Sequence, residues 1–270
     1  MHKTFVDKAG NQLEYELYGD GKKILFCFPG FGENLKTFSF LKDELVNYQL
    51  VSVNLYFIAN SKKKHPRKVL KPTEWSITFS EFLEYLNVQR FSVLGFSLGG
   101  RFAAVTFKYF NSKIERLIMV APDAIRIRST YQIATFPIGP KQLFWILMKY
   151  PKPLISIAKG FSLLNVLNPF TIKFALKHLK NQEIRNLLYK SWNIFKPVRV
   201  KQKELINLLN NSDCKSLFIF GEKDTIIDFK RHSKFCSQLT KSKILILPYG
   251  HNKLVNNSIV HLKKNLISNQ

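Results

Sequence analysis

The apolar positions of this chain fall into short runs and longer stripes that alternate over most of its length. Thr4 to Val6 and Leu13 to Tyr18 flank Ala9-Gly10-Asn11, which predicts an antiparallel hairpin. Ile24 to Phe28 is apolar throughout, the pattern of a strand buried on both faces. After the loop Pro29-Gly30-Phe31-Gly32-Glu33, Asn34 is placed to cap a helix carrying Phe38, Leu41 and Leu45. Leu50 to Leu55 predicts another strand. Trp75, Phe79, Phe82, Leu83 and Leu86 line one face of an amphipathic helix over Thr73 to Leu86. A strand from Phe91 to Phe96 then runs into a helix from Leu98 to Phe110, and Leu117 to Ala121 is the next strand.

After Pro122 the alternation stops. From Asp123 to Leu209 the pattern is of helical pieces interrupted by Pro137, Pro140, Pro151, Pro153, Pro169 and Pro197. Strands over Leu217 to Phe220 and Ile244 to Leu247 then alternate with helices over Phe229 to Leu239 and Asn252 to Ile267. Repeated strand–helix units imply an α/β fold, with a mostly parallel sheet covered by helices on both faces. The expected organisation is a core of residues 1–122 and 210–270 with a predominantly helical cap, residues 123–209, inserted after the strand that ends at Ala121.

Composition narrows the class. A chain of 270 residues with 46% hydrophobic and 22% charged residues is globular and can bury a substantial core. No apolar stretch has the length of a membrane span, and the first residues carry no apolar signal core. Cys27, Cys214 and Cys236 are odd in number and irregularly spaced, so no zinc or disulfide framework follows; reduced thiols in a cytoplasmic protein are expected. With 42 Lys and Arg against 18 Asp and Glu, the net charge is +24, a field that attracts anionic partners. The lysines are scattered, however, and no zinc finger, aromatic RNA-binding motif or basic heptad helix is present, which argues against nucleic acid. The dense run Ser61-Lys-Lys-Lys-His-Pro-Arg-Lys is expected to be a solvated loop.

The chemistry concentrates at Gly95-Phe96-Ser97-Leu98-Gly99-Gly100, between a strand and a helix. A G-x-S-x-G turn there holds the serine in a strained backbone and lifts its hydroxyl clear of the sheet. The next amide, that of Leu98, is left at a helix N-terminus, where partial positive charge suits an oxyanion. A serine hydroxyl needs a base, and the base needs an orienting acid. Asp224 follows one late strand and His251 the next, on loops where a parallel sheet brings groups together. The order Ser97, Asp224, His251 is the one this turn requires.

With these residues in place the chain resembles the α/β-hydrolase superfamily, over nearly all of its length outside Asp123 to Leu209. The family's loop after the third strand usually reads His-Gly-x, with the amide of x completing the oxyanion hole. Here Pro29-Gly30-Phe31-Gly32 takes that place, so the resemblance implies Phe31 as second donor beside Leu98. Pro29 departs from the pattern, but a backbone donor at Phe31 survives the change. Asp123 lies where some family members carry the acid, and Asp228 lies one turn beyond Asp224; the family's commoner Gly-x-x-Asp pattern favours Asp224. The implied reaction is hydrolysis of a carboxylic ester or thioester through an acyl-enzyme, which needs no metal and no organic cofactor.

The insertion bears on the substrate. Pro122 to Glu204 holds 15 basic residues against 3 acidic, a net of +12, together with many bulky apolar residues, among them Phe136, Trp145, Phe161, Phe170, Phe174 and Trp192. Basic and apolar together suit an apolar, anionic acyl substrate or contact with an anionic membrane; the alternative is that the apolar residues dock the cap and the lysines are solvated. Trp145 and Arg101 are the candidate substrate contacts. The string Gly95 to Arg101 is also similar to that of the menaquinone-pathway synthase of the same fold, in which an arginine at this offset helps bind a substrate carboxylate. Pyruvate elimination is therefore an alternative to hydrolysis, and a non-catalytic ligand-binding role is a third reading.

Overall fold

The computed structural model describes residues 2–125, 140–152, 156 and 181–267. The expected helical pieces around Phe136 and from Phe161 to Phe174 lie outside the described residues. Among the described residues eight strands form one sheet: β1 (Lys3–Val6), β2 (Gln12–Tyr18), β3 (Lys23–Phe28), β4 (Tyr48–Val53), β5 (Phe91–Phe96), β6 (Ile114–Val120), β7 (Lys215–Gly221) and β8 (Ser242–Leu247). Their spatial order is β1-β2-β4-β3-β5-β6-β7-β8. The β1–β2 and β2–β4 pairs are antiparallel, and every pair from β4–β3 to β7–β8 is parallel. The inner strands read as apolar runs because both of their faces are covered: all six residues of β5 are buried.

The core on one face is aromatic. Helix α1 (Pro72–Tyr85) and helix α2 (Gly99–Phe110) meet over β3. Trp75 of α1 packs edge-on against Phe102 of α2, with ring centroids 4.9 Å apart, and against Phe28 of β3 at 5.7 Å. Its buried indole N–H donates to Thr106 Oγ1 at 3.0 Å, which satisfies the one polar atom the ring brings inside. Proline at the first helical position and Glu74, whose carboxylate accepts from the Lys71 N–H at 2.7 Å, start α1.

By contacts the chain divides into two compact units, one of Met1–Pro66, Leu70–Arg126 and Pro197–Gln270, the other of Arg67–Val69 and Ile127–Lys196. In the second unit, α3 (Pro140–Lys149) packs on α4 (Gln182–Ile194), burying Phe144 and Met148 against Leu188, Tyr189 and Trp192. Arg185 reaches from α4 to donate to the Met148 carbonyl at 2.7 Å, near the C-terminal end of α3 where a cation meets negative helix-end charge. Helix α5 (Gln202–Asn211), within the stretch that the sequence pattern assigns to the insertion, lies in the sheet unit, where Glu204 pairs with Lys108 of α2 at 2.7 Å. Among the described residues no helix is long and apolar enough to cross a membrane.

Several sequence expectations are refined by local hydrogen bonding. The Asn34-capped helix is a 3-10 helix, Leu35–Lys42, with Asn34 accepting from the Lys36 N–H at 3.0 Å. The continuous helix expected over Phe229 to Leu239 is a 3-10 turn, Phe229–Arg231, and a single α turn, Ser233–Cys236. The closing helix is also in pieces: His251–Lys253, Leu254–Asn257 and, as α6, Ile259–Ile267. Ser258 sits between the last two, its hydroxyl donating to the Val255 carbonyl at 2.8 Å, a side-chain bond that competes with helical continuity. The basic loop is exposed from Lys64 to Lys68, whereas Lys63 is buried and donates to the His65 carbonyl at 3.4 Å.

Trp75→Ala is expected to lower stability by about 3–5 kcal/mol through cavity formation. Thr106→Val, which leaves the indole N–H unpaired, is expected to cost about 1–3 kcal/mol. Urea melts that show shifted midpoints in both variants, the larger for Trp75→Ala, will test this account; equal midpoints would contradict it.

Candidate active site

The site is built on the ends of β5, β7 and β8 and on the loop after β3. Ser97, the first residue beyond β5, has φ +50°, in the left-handed region that side chains other than glycine's seldom adopt. Close approach of α2 forces this turn. A Cβ at Gly99 would lie 2.0 Å from the Phe28 carbonyl oxygen, and one at Gly95 would lie 2.7 Å from Ala103 Cβ. Both flanking positions therefore exclude any side chain. The Ser97 N–H donates to the Val120 carbonyl at 3.0 Å, and the Ser97 carbonyl accepts from the N–H groups of Gly100 at 3.0 Å and Asp123 at 2.9 Å.

His251 stands at the turn after β8 and is buried, its ring against that of Phe96 with centroids 5.0 Å apart. Its Nε2 lies 3.0 Å from Ser97 Oγ and its Nδ1 lies 2.6 Å from Asp224 Oδ2. The other carboxylate oxygen of Asp224 accepts from the N–H groups of Ile226 and Ile227, both at 2.8 Å. Asp224 is thereby locked in orientation. With the carboxylate accepting, Nδ1 carries the ring proton and Nε2 is left to accept from the serine hydroxyl. The two other aspartates weighed from sequence are engaged elsewhere. Asp123 pairs with Arg101 at 2.7 Å, and Asp228 caps the turn after β7, accepting from the Lys230 N–H at 3.0 Å.

The loop from Pro29 to Glu33 lies against the serine: a Cβ at Gly30 would come within 3.4 Å of Ser97 Cβ. Phe31 follows Gly30 in that loop, and Leu98 is the N-cap of α2. No acceptor takes the Leu98 N–H among the described residues. Arg101 is buried, its Nε donating to the Asp123 carbonyl at 3.0 Å and its Nη2 meeting the Asp123 carboxylate. Trp145 belongs to the other unit, about half exposed on α3, with Lys149 Nζ 5.0 Å from its ring centroid. The three cysteines are unpaired and buried; burial pushes the Cys214 thiol up to about 12 and that of Cys236 up to about 11, so none is a ready thiolate.

A family model described as alpha/beta hydrolase fold matches residues 23–257. The chain belongs to that family. Uncharacterized proteins of Mycobacterium tuberculosis and Mycobacterium bovis are 23% identical to it over 153 residues, 55% of this chain and 44% of theirs, so the chain matches less than half the length of these relatives. Among solved structures it is similar to a hydrolase from Pseudomonas aeruginosa, at 17% identity and a TM-score of 0.71, covering 99% of this chain and 98% of that one. An esterase from Exiguobacterium antarcticum shares 18% identity with a TM-score of 0.65, covering 99% of this chain and 98% of that one. At these identities the likeness is one of fold.

This alpha/beta hydrolase carries a further acidic group at the site, in a loop that sequence reading treated only as backbone. The Glu33 carboxylate accepts from the Gly30 N–H at 3.3 Å, bracing the loop that abuts Ser97. Its pKa is raised, chiefly by burial, against opposing contributions from the Gly30 N–H, a Thr37 hydrogen bond and the charge of His251. The only sequence signal was an acidic residue closing a glycine-rich loop at the end of a buried strand.

A raised carboxyl pKa means that the folded state holds the proton more tightly than the unfolded chain does. The stability it contributes is complete below the ordinary carboxylate range and is lost as the pH rises through the raised value. Glu33→Gln should therefore gain melting temperature relative to wild type as the pH goes from acid to neutral. Thermal melts across that range would refute the burial account if the difference between the two proteins were constant.

Proposed function

We propose that this alpha/beta hydrolase cleaves a carboxylic ester or thioester through an acyl-enzyme on Ser97. The observation that carries the reading is the unbroken hydrogen-bonded sequence from Asp224 through His251 to the Ser97 hydroxyl. In the first half-reaction His251 Nε2 takes the hydroxyl proton while Ser97 Oγ attacks the carbonyl carbon. Asp224 holds the imidazole in the tautomer that can accept, and stabilises the imidazolium once formed. The developing oxyanion is received by the amides of Leu98 and Phe31, the first aided by the N-terminal end of α2. Collapse expels the alcohol or thiol, protonated by His251. Water then enters, gives its proton to the same nitrogen and attacks the acyl carbon; the second collapse frees the acid and restores Ser97.

The bulky apolar side chains between Pro122 and Glu204, Trp145 among them, support an apolar acyl group as substrate. The alternative of pyruvate elimination called for Arg101 to bind a substrate carboxylate. That guanidinium already holds the carboxylate of Asp123, which weighs against it.

Intact-mass labelling with a fluorophosphonate is the direct test. Wild type is expected to take up one adduct and Ser97→Ala none; a folded wild type that stays unlabelled would overturn the reading. Asp224→Asn is expected to lower kcat by about 10⁴-fold through the wrong histidine tautomer while the fold is kept. Esterase assays beside circular dichroism will show whether rate and fold separate in this way.

A further inference from the structure

We propose that Arg101 and Asp123 are positioning residues: their part-buried ion pair holds the strained serine turn in its reactive geometry. The proposal rests on the reading of Ser97 as the nucleophile. A non-glycine residue in the left-handed region is strained and persists only where its surroundings over-determine it. Two such residues lie side by side here, Ser97 at φ +50° beyond β5 and Ala121 at φ +40° beyond β6. The chain leaving β6 doubles as a splint for the one leaving β5. Val120 accepts from the Ser97 N–H, and three residues later the Asp123 N–H donates to the Ser97 carbonyl at 2.9 Å.

That second bond requires the Asp123 peptide to be held in one orientation, and Arg101 holds it. From the first turn of α2 its Nε donates to the Asp123 carbonyl at 3.0 Å, and its Nη2 meets the Asp123 carboxylate at 2.7 Å. One planar guanidinium thus grips main chain and side chain of the same residue. The contacts close a ring, from Ser97 along the chain to Arg101, across to Asp123, and back to the Ser97 carbonyl. Lysine, a point charge without the fork, could keep the pair but not the grip. The Arg101 side chain is 3% exposed and that of Asp123 23%, so removing Arg101 alone leaves a part-buried carboxylate without its counter-ion, whereas removing both charges does not.

This last property separates positioning from simple support of the fold. Three variants suffice: Arg101→Lys, Arg101→Met, and the doubly neutral Arg101→Met with Asp123→Asn. Arg101→Met alone is expected to lose melting temperature, and the double variant to recover it. Recovery of rate is not expected. In Arg101→Lys and the double variant, kcat and the fluorophosphonate labelling rate should fall by about 10- to 100-fold with KM unchanged, the signature of a displaced nucleophile. The downfield proton resonance of His251 Nδ1, which reports the bond to Asp224, should stay in place.

If labelling returns to the wild-type rate together with melting temperature in the double variant, the pair merely stabilises the fold and the proposal falls. It falls as well if folded Arg101→Lys labels like wild type. A wild type that neither labels nor hydrolyses esters is a different result, since it removes the nucleophile reading on which this one stands. Should Arg101→Met not fold, Arg101→Lys and the double variant still decide the question.

Discussion

The turn at Ser97 is a steric problem before it is a chemical one. Helix α2 begins after only two intervening residues beyond β5 and lies so close to the end of β3 that the Gly99 position has no room for a single added carbon beside the Phe28 carbonyl. The chain can make this reversal only by sending Ser97 into the left-handed region. Much of the surrounding structure follows from that requirement. The β3 loop is drawn against the serine, the end of β6 supplies an acceptor and the chain beyond it a donor to its peptide groups, and the aromatic layer of Trp75, Phe79 and Phe102 presses α1 and α2 onto the sheet.

Parallel strands bring the remaining groups to the same edge without any further device. β7 and β8 run in the direction of β5, so the loops after them open on the side where Ser97 emerges. Asp224 is fixed by two amides from its own loop, and His251 by Asp224 and by the Phe96 ring. Each group is oriented by a neighbour that is itself held. This is how an arrangement built on three separate loops reaches hydrogen-bonding distances.

The sheet was legible in the sequence because burial on two faces writes itself as continuous apolar runs, as in Ile24 to Phe28 and Phe91 to Phe96. The serine turn was legible because its glycines, Gly95 and Gly99, answer a steric demand that admits few other residues. Where a side chain competes with main chain the pattern misled: the Ser258 hydroxyl bonds the Val255 carbonyl where the expected closing helix is broken. The bond from Arg101 to Asp123 was not legible because the two are distant in sequence and meet only when β6 is laid beside β5. Glu33 was passed over for the same reason, since its burial and its proximity to His251 are properties of the assembled loop. The region from Pro197 to Leu209 shares the helical periodicity of the insertion, and periodicity carries no information about which unit a helix joins.

β8 is the last strand of the sheet, paired on one side only, with Ile246 about half exposed along it. The histidine loop hangs from that edge, while the serine and its turn are anchored in the centre. Outer strands open with smaller free energies than inner ones, so local fraying at this margin would carry His251 away from the Ser97 hydroxyl while the sheet stayed intact. Under the proposed function, heat tolerance of the activity would then be set by local opening of six residues, Ser242–Leu247, and inactivation would precede melting.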